Sequence, residues 1–401
     1  MSFEINKGRI EPMQKNLSLR NFSSAQKRRE FLEKELSIKL DNIGNFSFPE
    51  DQAVGRNIEN LIGATQIPLG IAGPLIIRAN EQTIKRIHYL PLATTEGALV
   101  ASVSRGCKAT TESDGITVFV ENVGITRGPV FKLKNLAEAM KIKIWIEEQF
   151  NNLAKIAEST SSHLKLLKAD YKVVGRNLFV RFYFDTQDAM GMNMATIATE
   201  AMVKVIEKET PAKCISLAGN FDIDKKPSWL NFILGRGKKV WAECILPKKV
   251  VAGVLKTTPE KIVEVTERKC HLGSIISGSL GYNSHFANIA AAVFAATGQD
   301  LAHTTEASLG ITSAETLENG NLYFSIHLPS LIVGTVGGGT HLPTQQEALK
   351  IMDVKGVLEY AQVLGAAVLA GELSLIASLS EGSLAKAHKK LGRKQTTDDR
   401  G

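Results

Sequence analysis

Apolar spacing divides the chain into stretches of different texture. Residues 26–39 set Phe31, Leu32, Leu36 and Ile38 among Lys, Arg and Glu, the spacing of a short amphipathic helix. It belongs to a charged helical arm, residues 1–50, that packs on its own domain or on a partner subunit. From 57 to 105, short apolar runs alternate with Gly and Pro, which predicts strands and turns, then a helix over 97–109. The pattern changes between 129 and 216. A Lys-rich helix, 136–159, leads through Thr160-Ser161-Ser162 to an alternating strand, 177–184; a helix over 194–208 and a strand near 214–217 follow. Elements of these lengths predict a compact α+β module inserted into a larger domain. Residues 288–297 are apolar on nearly all sides, a buried helix that Gly298 stops. The last helix, 358–380, is equally rich in Ala and Leu, and the charged tail after Gly392 is expected to be disordered. No internal repeat is visible.

Composition narrows the class. With 401 residues, 44% of them hydrophobic, and 33 Gly, the chain suits two or three mixed α/β domains. A formal charge of +7 favours anionic partners. The basic residues do not alternate with aromatics and no nucleic-acid module is present, so phosphate-bearing small molecules rank above nucleic acid. Cys107, Cys214, Cys244 and Cys270 lie far apart, which fits a reducing cytosol rather than a disulfide framework or zinc ribbon. Met1-Ser2-Phe3-Glu4 opens no signal peptide, and the longest apolar run, 363–371, ends at Glu372, too short for a membrane span. A cytoplasmic protein without a membrane partner is expected.

Several segments carry candidate chemistry. Glu96, in Leu90-Pro91-Leu92-Ala93-Thr94-Thr95-Glu96-Gly97, is an acid among apolar and small residues. Such surroundings would keep it protonated near neutral pH, as a general acid requires, although a Glu beside Gly is ordinarily a cap or turn residue. Asp224-Lys225-Lys226-Pro227 follows Gly219-Asn220-Phe221. Such a loop is usually a solvated turn; its functional reading is a lysine that stabilises an oxyanion. Gly298-Gln299-Asp300 puts a carboxylate at a helix C-terminus, where it needs a cation, and Lys225 is a candidate. Asp188-Ala189-Met190-Gly191-Met192-Asn193-Met194 opens a helix whose first N–H groups could hold a pyrophosphate, or is an ordinary helix start with core methionines. Gly334-Thr335-Val336-Gly337-Gly338-Gly339-Thr340 is a second Gly-rich turn, but G-x-G-x-x-G and G-x-S-x-G are missing, which argues against a standard Rossmann half and an α/β-hydrolase. His388 sits among Lys386, Lys389 and Lys390, which would push its pKa down; a lone His there is ordinarily just solvated. The other histidines, including His285 and His341, show no metal-ligand spacing.

Taken together, these segments resemble the hydroxymethylglutaryl-CoA reductase family over about residues 57–393. Glu59-Asn60-Leu61-Ile62-Gly63, Pro68-Leu69-Gly70-Ile71-Ala72-Gly73-Pro74, Thr94-Thr95-Glu96-Gly97 and the Asp188, Asp224, Gly298 and Gly334 motifs follow in the family's order. The Met-Asn-Met ending and the Asp-Lys-Lys-Pro loop resemble the biosynthetic class, class I. The resemblance implies an α+β fold: a large domain (51–128 and 217–375) around a long central helix, with an inserted ferredoxin-like NADP-binding domain (129–216). Residues 376–401 would form a C-terminal flap and tail. It implies homodimers or homotetramers with active sites completed by a neighbouring subunit, Glu59 to Gly63 matching a dimer-forming segment.

The implied reaction is reduction of 3-hydroxy-3-methylglutaryl-CoA to mevalonate with two NADPH, through a hemithioacetal and an aldehyde. By the same carry-over Lys225 stabilises the oxyanion, Glu96 supplies protons and Asp300 lies between them, while His388 protonates the CoA thiolate. Arg127, Asp224, Lys226 and Lys269 would hold the substrate's carboxylate end, and Ser102, Arg105 and Asn288 the CoA and acyl region. Asp188, Met190, Gly191, Asn193, Gly337 and Gly338 would contact the dinucleotide. Two departures stand out. Ala218 replaces a serine frequent in the family, and Ser161-Ser162 replaces Ser-Arg beside the 2′-phosphate. Lys165 or Lys168 would then substitute, with NADPH expected and NADH possible. The alternatives are NAD-dependent oxidation of mevalonate and a non-catalytic CoA- or nucleotide-binding relative.

Overall fold

The computed structural model describes residues 19–79 and 85–382. The chain divides into two units, Met1–Gln66 and Ile67–Gly401. In the first, α1 (Ala25–Leu36) is capped by Ser24, whose hydroxyl accepts the Lys27 N–H, and α2 (Glu50–Ala53) is a single turn. The apolar face read from sequence is not what organises this unit, since Leu36 and Ile38 are exposed. Arg28 is buried instead, and its guanidinium donates to the carbonyls of Leu19, Phe22 and Leu61 at 2.8–3.1 Å. A charge-bearing fork satisfies three loop carbonyls at once, so the short unit is tied together by hydrogen bonds more than by apolar burial.

The second unit begins with the antiparallel pair β1 (Leu69–Ala79) and β2 (Lys85–Ala93), then α3 (Leu99–Thr111) and β3 (Ile116–Arg127). Next come β4 (Val130–Lys132), α4 (Leu136–Glu148), α5 (Phe150–Glu158), β5 (Lys165–Val174), β6 (Asn177–Asp185), α6 (Met192–Glu209) and β7 (Lys213–Ser216). The chain continues through α7 (Trp229–Leu234), β8 (Arg236–Leu246), α8 (Lys248–Val250), α9 (Pro259–Val265), α10 (Ser274–Ser277) and β9 (Gly281–Tyr282). It closes with α11 (Phe286–Thr297), α12 (Thr304–Ala307), β10 (Gly310–Thr316), β11 (Leu322–Leu331), α13 (Pro343–Met352) and α14 (Val357–Glu381). The main path of the sheet runs β7-β4-β6-β3-β8-β11-β10-β9, with β1 and β2 branching at β3 and β5 at β6.

Two apolar cores form. One gathers α3, α11 and α14 against β1, β2, β3, β8, β10 and β11; the other gathers α4, α5 and α6 against β4, β5 and β6. The mixed α+β architecture and the long late helix agree with the sequence reading. Helix α14 is long and apolar enough to cross a membrane, yet it lies mostly buried at the centre of the first core. Small residues let its neighbours approach: a Cβ on Gly106 of α3 would run into the Ala370 carbonyl. The single helix expected over 136–159 is two, because at Gln149 (φ −85°, ψ 6°) the backbone leaves helical geometry without a Gly or Pro to announce it.

Helices α11 and α14 are joined at both ends of their contact. The Thr297 and Tyr360 hydroxyls hydrogen-bond at 2.8 Å. At the other end the buried Glu372 carboxylate accepts the N–H groups of Ser284 and His285 and the Thr312 hydroxyl. Those N–H groups lie at the start of α11, partly buried, so a carboxylate in the central helix caps a neighbouring one.

Candidate active site

Several of the sequence-predicted residues fall into two clusters at opposite ends of α11. At its C-terminal end Gly298 adopts φ +74° and turns the chain, and Asp300 follows. The Lys225 ammonium meets the Asp300 carboxylate at 2.8 Å, and the Ala302 N–H donates to the same carboxylate at 3.0 Å. Lys225 stays protonated above the ordinary lysine range, chiefly through that hydrogen bond. Burial alone would raise Asp300, but the Lys225 hydrogen bond, the Ala302 N–H and the nearby His303 outweigh it and hold the carboxyl below its usual value. The unfavourable helix terminus is thus offset by a specific cation, as the sequence suggested.

The lysine loop carries three non-glycine residues with left-handed backbones: Asn220 at φ +62°, Ile223 at +50° and Lys225 at +57°. A β-branched Ile in that region persists only when its surroundings fix it. Asn231 donates to the Ile223 carbonyl at 2.9 Å, and Arg236, fully buried, pairs with Asp224 at 3.0 Å and Glu306 at 3.1 Å. Arg127 pairs with the buried Asp222 at 3.4 Å, and the Lys226 ammonium donates to the Asp224 carbonyl at 3.1 Å. Donor atoms of Asp224, His303 and Glu306 lie within 4.8 Å of one another, a spacing a metal ion could use. The Arg236 guanidinium already balances two of these three.

The glycine-rich segments meet at this same end. The Thr335 N–H donates to the Asp188 carbonyl at 2.8 Å, Ala189 bridges Val336, and the Gln299 amide exchanges two hydrogen bonds with Gly334. The Asp188 carboxylate accepts the Val357 N–H at 2.8 Å and so anchors the start of α14. Gly191 caps α6 at φ +85° with no side chain over the first turn, leaving the N–H groups around Asn193 without a side-chain acceptor. Met190 packs against the second core, and a side chain added at Gly337 or Gly338 would meet open space.

At the other end of α11, Asn288 in its first turn donates to Glu96 at 3.2 Å. Glu96 is exposed, because the turn between β2 and α3 stands at the surface; the apolar enclosure expected from its sequence neighbours is not formed within one chain. Ser102 and Arg105, on the α3 face toward α14, are taken up by Ser374, with Arg105 reaching Ser378 as well. Lys269 is exposed. Ten residues of α-helical rise put Asn288 about 15 Å from Gly298, so Glu96 and Lys225 belong to different ends of a single protomer. His388 lies outside the described residues. Sequence reasoning missed Arg236 and Glu306, the buried pair behind the lysine loop. The only signal was a Glu six residues after Asp300, among polar threonines that do not advertise burial.

The architecture has solved counterparts. The class II 3-hydroxy-3-methylglutaryl-CoA reductase of Streptococcus pneumoniae, bound to NADPH in open conformations, matches with a TM-score of 0.67 and 19% identity, over 89% of this chain and 97% of that one. At that identity the likeness is one of fold. Sequence supplies the rest: the family profile "Hydroxymethylglutaryl-coenzyme A reductase" matches residues 24–393. Curated relatives named 3-hydroxy-3-methylglutaryl-coenzyme A reductase include that of Methanocaldococcus jannaschii, 49% identical over 96% of this chain and 97% of the relative. That of Pyrococcus horikoshii is 51% identical over 91% of each. The chain belongs to the hydroxymethylglutaryl-coenzyme A reductase family and is an oxidoreductase.

Proposed function

We propose that the chain reduces the thioester of 3-hydroxy-3-methylglutaryl-CoA to the alcohol of mevalonate, consumes two NADPH and releases CoA, as a cytoplasmic enzyme of the biosynthetic class I. The observation that carries this reading is the charged Lys225–Asp300 pair beside the two glycine-rich segments. The archaeal relatives and the Asp188–Met194 and Asp224–Pro227 motifs support the class, and four free cysteines support the reducing compartment.

The residues present fit a dinucleotide. The open first turn of α6 suits a pyrophosphate, and Gly337 and Gly338 leave room for one face of the ligand. Asp188, Met190, Gly191 and Asn193 would line it. NADPH, when bound, supplies the hydride for both reductions. Lys225 stabilises the oxyanion that develops at the substrate carbonyl, and Asp300 keeps it charged. Glu96 delivers a proton to the reduced oxygen. His388 protonates the departing thiolate, so its loss should slow the thioester reaction and spare free mevaldehyde. Arg127, Asp224, Lys226 and Lys269 hold the carboxylate end of the substrate, and Ser102, Arg105 and Asn288 its CoA and acyl part. Because α11 holds Glu96 away from Lys225 in one chain, the full set forms where Glu96 of a second copy meets the Lys225–Asp300 end, in a homodimer or homotetramer.

Lys165 is the better candidate for the 2′-phosphate. It lines a depression with Ser161, Ser162 and His163, whereas the Lys168 ammonium lies 4.4 Å over the Tyr183 ring. The test is direct. Purified protein given 3-hydroxy-3-methylglutaryl-CoA should oxidise two equivalents of NADPH per CoA released. One equivalent, or a strong preference for oxidising mevalonate with NAD, would overturn the reading.

A further inference from the structure

We propose that Glu306 is a positioning residue for the reduction: its buried carboxylate fixes the backbone of Lys225 so that the ammonium is delivered to Asp300 and the reacting carbonyl. This rests on the role given to Lys225 above and deepens it.

Lys225 is gripped from both sides by one short segment. Its ammonium pairs with Asp300, and its backbone N–H donates to Glu306 Oε1 at 2.6 Å. The two carboxylates are six residues apart, joined by a 3-10 turn, Leu301–His303, and α12. His303, fully buried between them, has Nδ1 3.4 Å from Glu306 Oε2 and Nε2 3.9 Å from Asp300 Oδ2. Lys225 needs such a grip because its backbone is left-handed, a conformation that a Cβ disfavours and that relaxes unless held.

Glu306 does not act on substrate directly, since it is fully buried. It is itself held by Arg236 Nη1 at 3.1 Å, and the same guanidinium pairs with Asp224 at 3.0 Å and donates through Nε to the Thr126 hydroxyl at 2.8 Å. The buried carboxylate therefore fixes Lys225 through its main chain, and the guanidinium that holds it lies at ion-pair distance from the side chain of the preceding residue, Asp224. The bond from the Lys225 N–H to the Glu306 carboxylate, at 2.6 Å, is short and charge-assisted, which suits it to holding a strained loop in one geometry. Displacement of an oxyanion donor by even a fraction of an ångström is felt in the transition state more than in substrate binding.

The experiment compares Glu306→Ala and Glu306→Gln with the parent enzyme in steady-state reduction of 3-hydroxy-3-methylglutaryl-CoA by NADPH. In Glu306→Ala, kcat should fall about 100-fold while both KM values stay within about threefold, the signature of an interaction expressed in the transition state. Glu306→Gln keeps an oxygen to accept the Lys225 N–H and should recover kcat to within about tenfold of the parent, which also covers the case in which the alanine variant does not fold. Unchanged kcat in Glu306→Ala, a rise in KM at constant kcat, or equal loss in Gln and Ala would overturn the proposal. A parent enzyme that does not turn over 3-hydroxy-3-methylglutaryl-CoA would instead overturn the functional reading itself.

Discussion

At the residue scale, Lys225 and Asp300 form a charged pair at 2.8 Å, the pair proposed above to carry the chemistry. Lys225 is raised and Asp300 lowered relative to their ordinary values, so both are charged across the neutral range. Lys225's share of stability is therefore full below its unfolded pKa and lost as pH rises through its raised native value; Asp300's is full above its unfolded pKa and lost as pH falls through its lowered one. Both groups are partly exposed, so the effect on folding is small and the effect on turnover is the one to measure. Asp300→Asn removes the main cause of the lysine shift, and the alkaline limb of its residual kcat should move to lower pH than in the parent enzyme. Lys225→Ala, which removes the proposed oxyanion donor, should lower kcat about 100- to 1000-fold, with dinucleotide affinity kept when titrated by fluorescence. Lys165→Glu should lower kcat/KM for NADPH and leave that for NADH nearly unchanged. Asp300 stood out along the chain as a carboxylate at a helix C-terminus, whereas Glu96 and Lys225 lie in segments ordinarily read as a turn and a solvated loop and take their candidate roles from the family resemblance. Arg236 and Glu306 break no local rule, since burial is a tertiary property and the residues beside them, Gly235 and Gly237, Thr305 and Ala307, do not announce it.

At the scale of elements, helices with one dominant period were readable and paired strands less so. Helix α11 starts two residues before the reading and ends at Gly298 as expected, and α14 lies within one residue at each end. Strand β8 was missed although it alternates, because it opens with the buried charges Arg236 and Lys238; Lys238 is satisfied by Asn122 at 2.7 Å. A sequence pattern cannot reveal a partner more than a hundred residues away. Packing of α3 on α14 depends on the absence of a side chain at Gly106, so Gly106→Ala should lower stability by roughly 2–3 kcal/mol in chemical denaturation. Glu372→Ala leaves the Ser284 and His285 N–H groups without their acceptor at the start of α11. It should cost about 3 kcal/mol and raise the KM for the CoA substrate through Asn288.

At the scale of the whole molecule, one chain carries both halves of the candidate site but does not bring them together. Glu96 with Asn288 marks one end of α11; Lys225 with Asp300 and the glycine-rich segments mark the other. Mixed assemblies test whether the halves meet across copies. Glu96→Ala and Lys225→Ala proteins, each inactive alone, should regain activity after unfolding and refolding together, because a two-fold mixed dimer rebuilds about one of its two sites. Failure of every mixture to gain activity would place the acid elsewhere.

Since one rigid rod bears both stations, its residue count is itself a tuned dimension. Adding a single turn inside α11 would lengthen it by about 5.4 Å, so its links to α14 at the two ends could not both close and the two stations would fall out of step. Natural variation in this enzyme should therefore tolerate exchanges along the rod's inner face more readily than any insertion or deletion within it.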